Sequence, residues 1–153
     1  MEVPEESTRL VAEITRDPIF PQRVIGRVRS DPSGCVVTYV GLIRNRSDGK
    51  AVRAVEYRDP SGRAEDRLME MAREAGKRWP VNGIAIVHRI GTLNVGEINL
   101  VVAVAAAHRT EGFAACQFLI DRFKERLPTE KRETYRDDEG PAHGEEPSKG
   151  EEL

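Results

Sequence analysis

An apolar run that ends in two basic side chains is the feature that most constrains this chain. Residues 97–107, EINLVVAVAAA, have the composition of a buried strand, and His108 and Arg109 follow directly. Beyond them, apolar residues recur every three or four positions, which predicts a helix capped by Thr110 and ended by Pro128. The predicted apolar stripe consists of Phe113, Cys116, Ile120, Phe123 and Leu127. A buried strand therefore passes through a basic pair into a helix.

The rest of the chain alternates strand and helix patterns. Further strands are predicted at residues 10–16, 35–44, 51–58, 83–91 and 131–135, and further helices at 20–29 and 64–79. Asp48-Gly49 is a tight-turn signal, so the strands at 35–44 and 51–58 are expected to pair as a hairpin. These patterns indicate a single α+β domain over residues 1–136, with a mostly antiparallel sheet and two main helices.

Charge limits the classes of ligand and partner. The net charge is −2, yet residues 137–153 hold seven acids and one lysine, which leaves residues 1–136 at +4. Residues 137–153 are rich in Gly, Pro and Glu, and we expect them to form an acidic disordered tail. A weakly basic domain suits a small anionic ligand or an acidic partner and argues against nucleic acid.

The sequence also bears on location and on the cysteines. No apolar run approaches the roughly 20 residues of a membrane helix, and the amino terminus, MEVPEESTRL, lacks a secretory signal pattern. We therefore expect a cytoplasmic protein without a membrane partner. Cys35 and Cys116 fit no metal-ligand spacing and lie in apolar patterns, so they are expected to be free core residues.

His108 and Arg109 are candidate anion ligands. A helix amino terminus gathers unpaired backbone N–H groups and the positive end of the helix dipole. Arginine grips phosphate or carboxylate through two N–H groups, and histidine exchanges a proton near neutral pH. The alternative is an ordinary solvated loop at a strand-to-helix junction.

Lys124 is a second candidate. It lies eleven residues beyond Phe113, a step that returns to within about 20° of the same side of a helix. A lysine beside an apolar stripe is partly desolvated, which favours proton transfer or nucleophilic chemistry. The alternative is a side chain whose stem covers apolar surface. Lys131 lies just beyond the helix, beside Glu130, and is close enough in sequence to return toward Lys124. Arg44, at the end of a predicted strand, is another cation at a strand edge.

The helix between these candidates sets their separation. A rise near 1.5 Å per residue puts Lys124 about 20 Å from His108 and Arg109. One chain can hardly bring them together. Either there are two sites, or one composite site forms across a subunit interface. His88, by contrast, alternates within an apolar strand and is interpreted as a core or interface histidine.

Four segments occur in a characteristic order. They are GCVVTYVGLIRNRSDGKAVRAVEY, VHRIGTLNVGE, VAVAAAHRTEGFAACQFLIDRFKERLP and KRE. Together they resemble the large, catalytic subunit of molybdopterin synthase, over residues 34 to about 133. The resemblance implies an α/β hammerhead type of fold and a homodimer. It also implies a small ubiquitin-like sulfur-carrier subunit bound at each end, which makes a heterotetramer.

The resemblance further implies a reaction. The carrier's C-terminal Gly-Gly, activated as a thiocarboxylate, enters a pocket of the large subunit. Two sulfur transfers to cyclic pyranopterin monophosphate then make the dithiolene of molybdopterin, in molybdenum cofactor biosynthesis. The pyranopterin is a substrate, and neither a cofactor nor a metal is expected. At the positions that match the family's motifs, the resemblance implies that Lys124 and Lys131 are the catalytic residues. It likewise implies that Arg44, His108 and Arg109 are the substrate-binding residues.

The chain departs from the family at several positions. Thr129 and Glu130 replace an aromatic pair, and Arg46 replaces a histidine. Pro60 and Arg63 replace a tyrosine and a methionine, and the acidic tail replaces a later tryptophan-containing segment. Two alternatives follow for function. One is a non-catalytic paralogue that acts as a carrier-binding scaffold dimer, and the other is a generic anion-binding domain.

Overall fold

A computed structural model describes residues 7–136. The predicted acidic tail, residues 137–153, lies outside the described residues. The strands, in chain order, are β1 (Arg9–Thr15), β2 (Cys35–Leu42), β3 (Arg46–Ser47), β4 (Lys50–Arg58), β5 (Gly83–Arg89), β6 (Gly91–Asn94), β7 (Ile98–Ala106) and β8 (Glu130–Tyr135). The helices are α1 (Pro21–Val28), α2 (Ala64–Arg78) and α3 (Arg109–Glu125). All but one of the strand pairs are antiparallel, the exception being β1 with β5, so the α+β prediction is confirmed.

The first sheet has the strand order β1-β5-β7-β2, with helices on both faces. Strand β7 is one of its two central strands, and alternate side chains of β7 enter two different cores. Leu100, Val102 and Val104 pack toward α2 and α3, whereas Val101 and Ala103 pack toward α1. A strand that is covered on both faces needs apolar residues at every position. The unbroken apolar run of residues 100–107, which precedes His108, follows from this burial.

The helices are held by apolar contacts rather than by strong caps. Helix α1 begins at Pro21, and its buried residues are Val24 and Val28. Helix α2 buries Leu68, Met71, Ala72 and Ala75, which recur at the three- and four-residue intervals of one helix face. No helix among residues 7–136 is long and apolar enough to cross a membrane.

A second sheet joins β3, β4, β6 and β8, and it corrects the predicted hairpin. The Asp48-Gly49 turn is present, with φ of 51° and 80°, but the strand that turns back, β4, does not pair with β2. It pairs with the two-residue β3, with β6 and with β8. The chain leaves the first sheet at Ile43, whose side chain is buried in the core of the second sheet. The hairpin is therefore much shorter than predicted.

Helix α3 differs from the prediction at its amino terminus. His108, not Thr110, occupies the N-cap position, and its side chain makes no capping hydrogen bond. The buried residues of α3 are Gly112, Ala115, Cys116, Leu119 and Phe123. Phe113, placed in the apolar stripe by its spacing, is instead 60% exposed.

Candidate active site

A cavity of about 460 Å³ lies where the second sheet meets the last turn of α3. Its charged lining consists of Arg44, Arg46, Lys124, Lys131 and Glu133. The rest of the lining is largely apolar, with Ser47, Tyr57 and Asn99 as further polar residues. Four cationic side chains against one carboxylate make this cavity suited to an anionic ligand.

Strand β8 contributes Lys131 and Glu133 because side chains two positions apart share a face of a strand. The register of β8 against β4 sets Lys131 directly opposite Tyr57, which also lines the cavity. Lys124 comes from the other side, on the last turn of a helix that ends at Glu125. The fold thus brings both predicted catalytic lysines to one cavity.

Arg44 reaches the same cavity from the connection between β2 and β3. Its Nη2 donates a hydrogen bond to the carbonyl oxygen of Arg46 at 3.2 Å. This bond occupies one of the five N–H groups of the guanidinium. Arg44, Lys124 and Lys131 are therefore three predicted site residues that the structure brings together.

Glu133 organises the Lys131 side of the cavity. The Tyr135 hydroxyl donates to Glu133 Oε1 at 2.6 Å, and Lys131 Nζ lies 3.5 Å from Glu133 Oε2. The Tyr135 hydrogen bond foremost, with a bond from Ser47 and the charge of Lys131, lowers the pKa of the Glu133 carboxyl. The described ion pair of Lys131 is thus with Glu133 and not with Glu130, because neighbouring residues of a strand point to opposite faces.

Lys124 is exposed in the isolated chain. Among residues 7–136 it forms no ion pair. The desolvation expected from its place beside the apolar stripe is therefore not provided by a single chain. It shares the exposed side of α3 with Phe113, which lies about 20° away around the helix axis.

The floor of the cavity contains polar residues that were not predicted. Asn99 Nδ2 donates to the Tyr57 hydroxyl at 2.9 Å, whereas the buried Asn99 Oδ1 has no hydrogen-bond partner. The available signal was a polar residue inside the apolar run at 97–107. His88 lies behind this floor, fully buried, with both ring nitrogens in hydrogen bonds. Its interpretation as a satisfied core histidine is confirmed.

His108 and Arg109 do not line this cavity. They lie at the other end of α3, and the sixteen-residue step from His108 to Lys124 spans about 24 Å. The His108 side chain is 81% exposed, and its Nδ1 lies 3.7 Å from Glu111 Oε2. Arg109 is exposed as well. Within one chain, the predicted site residues therefore form two separate groups.

Exposed apolar residues accompany the edge strand β2. In the part of the chain that the structure describes, β2 pairs only with β7, so its outer edge is open. Val40 and Leu42 of β2 are 38% and 55% exposed, in addition to Phe113 on α3. Open strand edges and exposed apolar side chains are typical of surfaces that bind another chain.

The arrangement has defined chemical capacities. Arg44 and the lysines can bind phosphate or carboxylate oxygens, and the two amines can donate or accept protons. These groups converge on a partly enclosed cavity, where their interactions with an anion are stronger than in bulk water. The cavity therefore suits an anionic substrate on which negative charge develops during the reaction.

Known proteins are similar to this chain in sequence and in fold. The family described as "MoaE protein" matches residues 14–126. The molybdopterin synthase catalytic subunit of Thermoplasma volcanium is 38% identical over 131 residues, which cover 86% of this chain and 96% of that protein. The crystal structure of molybdopterin synthase from Staphylococcus aureus has a TM-score of 0.77 at 31% identity, covering 82% of this chain and 92% of that chain.

A more distant structural match is to a chain from a two-subunit complex. The complex of subunits 1 and 2 of molybdopterin-converting factor from Helicobacter pylori has a chain that matches with a TM-score of 0.60 at 11% identity. This match covers 86% of this chain and 87% of that chain. At this identity the likeness is one of fold. The family match spans most of the domain and includes Lys124, and the resemblance seen in the four sequence segments is confirmed: this chain belongs to the MoaE family.

Proposed function

We propose that this protein is the catalytic subunit of a molybdopterin synthase and acts as a sulfurtransferase. The observation that carries the proposal is the single cavity that gathers Arg44, Lys124 and Lys131. The name of the Thermoplasma volcanium relative supports the same activity. The substrate is cyclic pyranopterin monophosphate, the product is the molybdopterin dithiolene, and no cofactor takes part. The reaction takes place in the cytoplasm.

The proposed partner is a small ubiquitin-like sulfur carrier. The Helicobacter pylori structure is named as a complex of two subunits, which supports a second subunit here. The carrier's C-terminal Gly-Gly thiocarboxylate occupies the cavity next to the pyranopterin. Its negative charge is complementary to the four cations that line the cavity.

Each residue has a role in the proposed transfer. Arg44 binds the substrate phosphate. The thiocarboxylate sulfur attacks an oxygen-bearing pyranopterin carbon, whose bond to that oxygen breaks, and the departing oxygen takes up a proton. Carrier and substrate are then linked through a thioester bond. Water then cleaves the acyl carbon–sulfur bond, so the sulfur stays on the substrate and the carrier leaves as a carboxylate. Lys124 moves protons in these steps, assisted by Lys131, whose amine is oriented by Glu133.

The proposed active unit is a homodimer with a carrier at each end. His108 and Arg109 lie about 24 Å from Lys124 along one helix, so they reach the cavity of the other subunit rather than their own. The open edge of β2 and the exposed Phe113 offer apolar surface for this contact. Association also desolvates Lys124, which a single chain leaves exposed.

Reconstitution tests the activity. The protein is mixed with a thiocarboxylated carrier and cyclic pyranopterin monophosphate, and dithiolene product is measured. Lys124→Ala should abolish product, whereas Lys77→Ala, an exposed lysine on α2 away from the cavity, should not. Normal carrier binding by the wild type without product would favour the scaffold alternative. Absence of affinity for a Gly-Gly tail would favour the generic anion-binding domain.

Mixed dimers test the composite site. Lys124→Ala and His108→Ala are each expected to be inactive as pure dimers. When their subunits are exchanged, half of the dimers carry one variant of each kind and one intact site, so roughly a quarter of wild-type activity returns. A site formed within one chain would regain nothing. A strictly monomeric active protein in solution-mass measurements would also exclude the composite site.

A further inference from the structure

His88 connects the cavity wall to the segment that carries Lys131. Its ring lies fully buried in β5. Nδ1 is 2.8 Å from the carbonyl oxygen of Asn99, and Nε2 is 2.9 Å from the Thr129 hydroxyl. A carbonyl oxygen only accepts, so Nδ1 carries the proton, and in the neutral ring Nε2 accepts from the Thr129 hydroxyl. Burial lowers the pKa of His88, which favours this neutral form.

The same ring touches two residues that line the cavity. The Tyr57 and Phe123 rings meet it edge to face, with centroids 4.8 and 5.0 Å away. Asn99, whose carbonyl accepts from His88, also binds the Tyr57 hydroxyl through its side chain. His88 therefore contacts three cavity-lining residues from three different elements: β4, β7 and α3.

Two of these contacts lie next to the lysines along the chain. Phe123 immediately precedes Lys124, and Thr129 precedes Lys131 by two residues. Thr129 is only 7% exposed, and its bond to His88 joins the short segment between α3 and β8 to the first sheet. Movement of Thr129 would be passed to the start of β8, where Lys131 lies opposite Tyr57.

We propose that His88 and Thr129 are positioning residues, which hold the Lys124 and Lys131 amines at the separation that sulfur transfer requires. This inference rests on the proposed function and adds to it two residues that do not touch the substrate. A misplacement of about 1 Å lowers catalysis by up to about a hundredfold. A side-chain contact behind the cavity can therefore control the rate without binding any ligand.

The test removes one hydroxyl. Thr129→Val keeps the shape of the side chain but loses the donor to His88, whereas Thr129→Ser keeps the donor. Thr134→Val is the matched control, because Thr134 lies exposed on the same strand as Lys131. We expect Thr129→Val to lower kcat about tenfold to a hundredfold, with carrier affinity unchanged, and Thr129→Ser to restore the rate. A purely structural hydrogen bond would lower Tm and leave kcat of the folded protein unchanged, which would overturn the proposal.

A second readout does not depend on activity. Competitive acetylation with acetic anhydride, measured by mass spectrometry, reports the reactivity of each lysine amine. Thr129→Val should change the reactivity of Lys131 or Lys124 relative to Lys77 by about twofold or more, and Thr129→Ser should not. If labelling changes as expected but wild type forms no dithiolene, the proposed function fails and the positioning role stands. Unchanged labelling of both lysines refutes the positioning role, whatever the activity.

Discussion

Gly41→Ala should destabilise the protein by pushing one side chain on the cavity floor. Gly41 lies at an irregularity in the pairing of β2 with β7. A Cβ atom added there would stand 2.8 Å from Asn99 Oδ1 and 3.2 Å from Tyr39 Cε2. An ordinary carbon–oxygen contact is about 3.3 Å or more, so Asn99 must move by about 0.5 Å.

The expected cost follows from the bond that this movement breaks. Asn99 Nδ2 donates to the Tyr57 hydroxyl at 2.9 Å, and a buried donor left unpaired costs about 1–3 kcal/mol. For a chain of this size, each kcal/mol corresponds to about 2–4 °C in Tm. We therefore expect Tm to fall by roughly 2–12 °C.

Thermal unfolding of four variants tests the mechanism. In the Asn99→Ala background there is no carboxamide to displace, so Gly41→Ala should cost about 1–2 kcal/mol less than in wild type. Gly26→Ala is the matched control, since nothing lies within 4 Å of a Cβ at that helical position. It should stabilise the protein by up to about 1 kcal/mol. Additive effects of Gly41→Ala and Asn99→Ala would refute the reasoning.

Three further outcomes are expected. Burial raises the pKa of the Cys116 thiol to about 11, so Ellman's reagent should label Cys116 only after unfolding; labelling in the native state would contradict its burial. Leu119→Ala should cost about 2–5 kcal/mol in urea unfolding, because Leu119 is fully buried in the main core; a loss below 1 kcal/mol would be inconsistent with that packing. Burial lowers the pKa of His88 below its ordinary value of 6.5, so the unfolded chain takes up the proton first as pH falls. The free energy of unfolding should therefore decrease below about pH 6.5 in wild type, and this decrease should be smaller in His88→Asn; equal decreases would show that His88 is not its source.

Local patterns predicted the elements better than their pairing. The helix at α2 and the Asp48-Gly49 turn are set by neighbouring residues, and both are present. The prediction that β4 pairs with β2 was wrong. Ile43 is apolar whether it continues β2 or starts the second sheet, and no residue in the run marks where the chain changes sheets. The predicted burial of Phe113 was wrong for a similar reason, since spacing alone does not distinguish an apolar residue in the core from one on an exposed surface.

The features of the candidate site also divide into those that local sequence predicts and those that depend on the pairing of distant strands. The separation of His108 from Lys124 could be predicted because the rise of a helix is fixed. The approach of Arg44 to Lys131 could not be derived from spacing, since strands that lie far apart in sequence bring them together; the family resemblance implied it. Glu133 as the partner of Lys131 was missed because it depends on which face of β8 points inward.

The register of β8 against β4 also sets limits on how this chain can change length. Tyr57 lies opposite Lys131, and side chains alternate between the two faces of a strand. One residue inserted or deleted between Pro128 and Lys131, with the original pairing positions kept, would turn Lys131 outward and present Glu130 or Arg132 instead. A two-residue change would preserve the inward face but displace Lys131 by about 7 Å along the strand. The length of the linker from α3 to β8 thus sets the position of Lys131. Homologous sequences that keep a lysine in this cavity should therefore vary in the residue types of the linker far more readily than in its length.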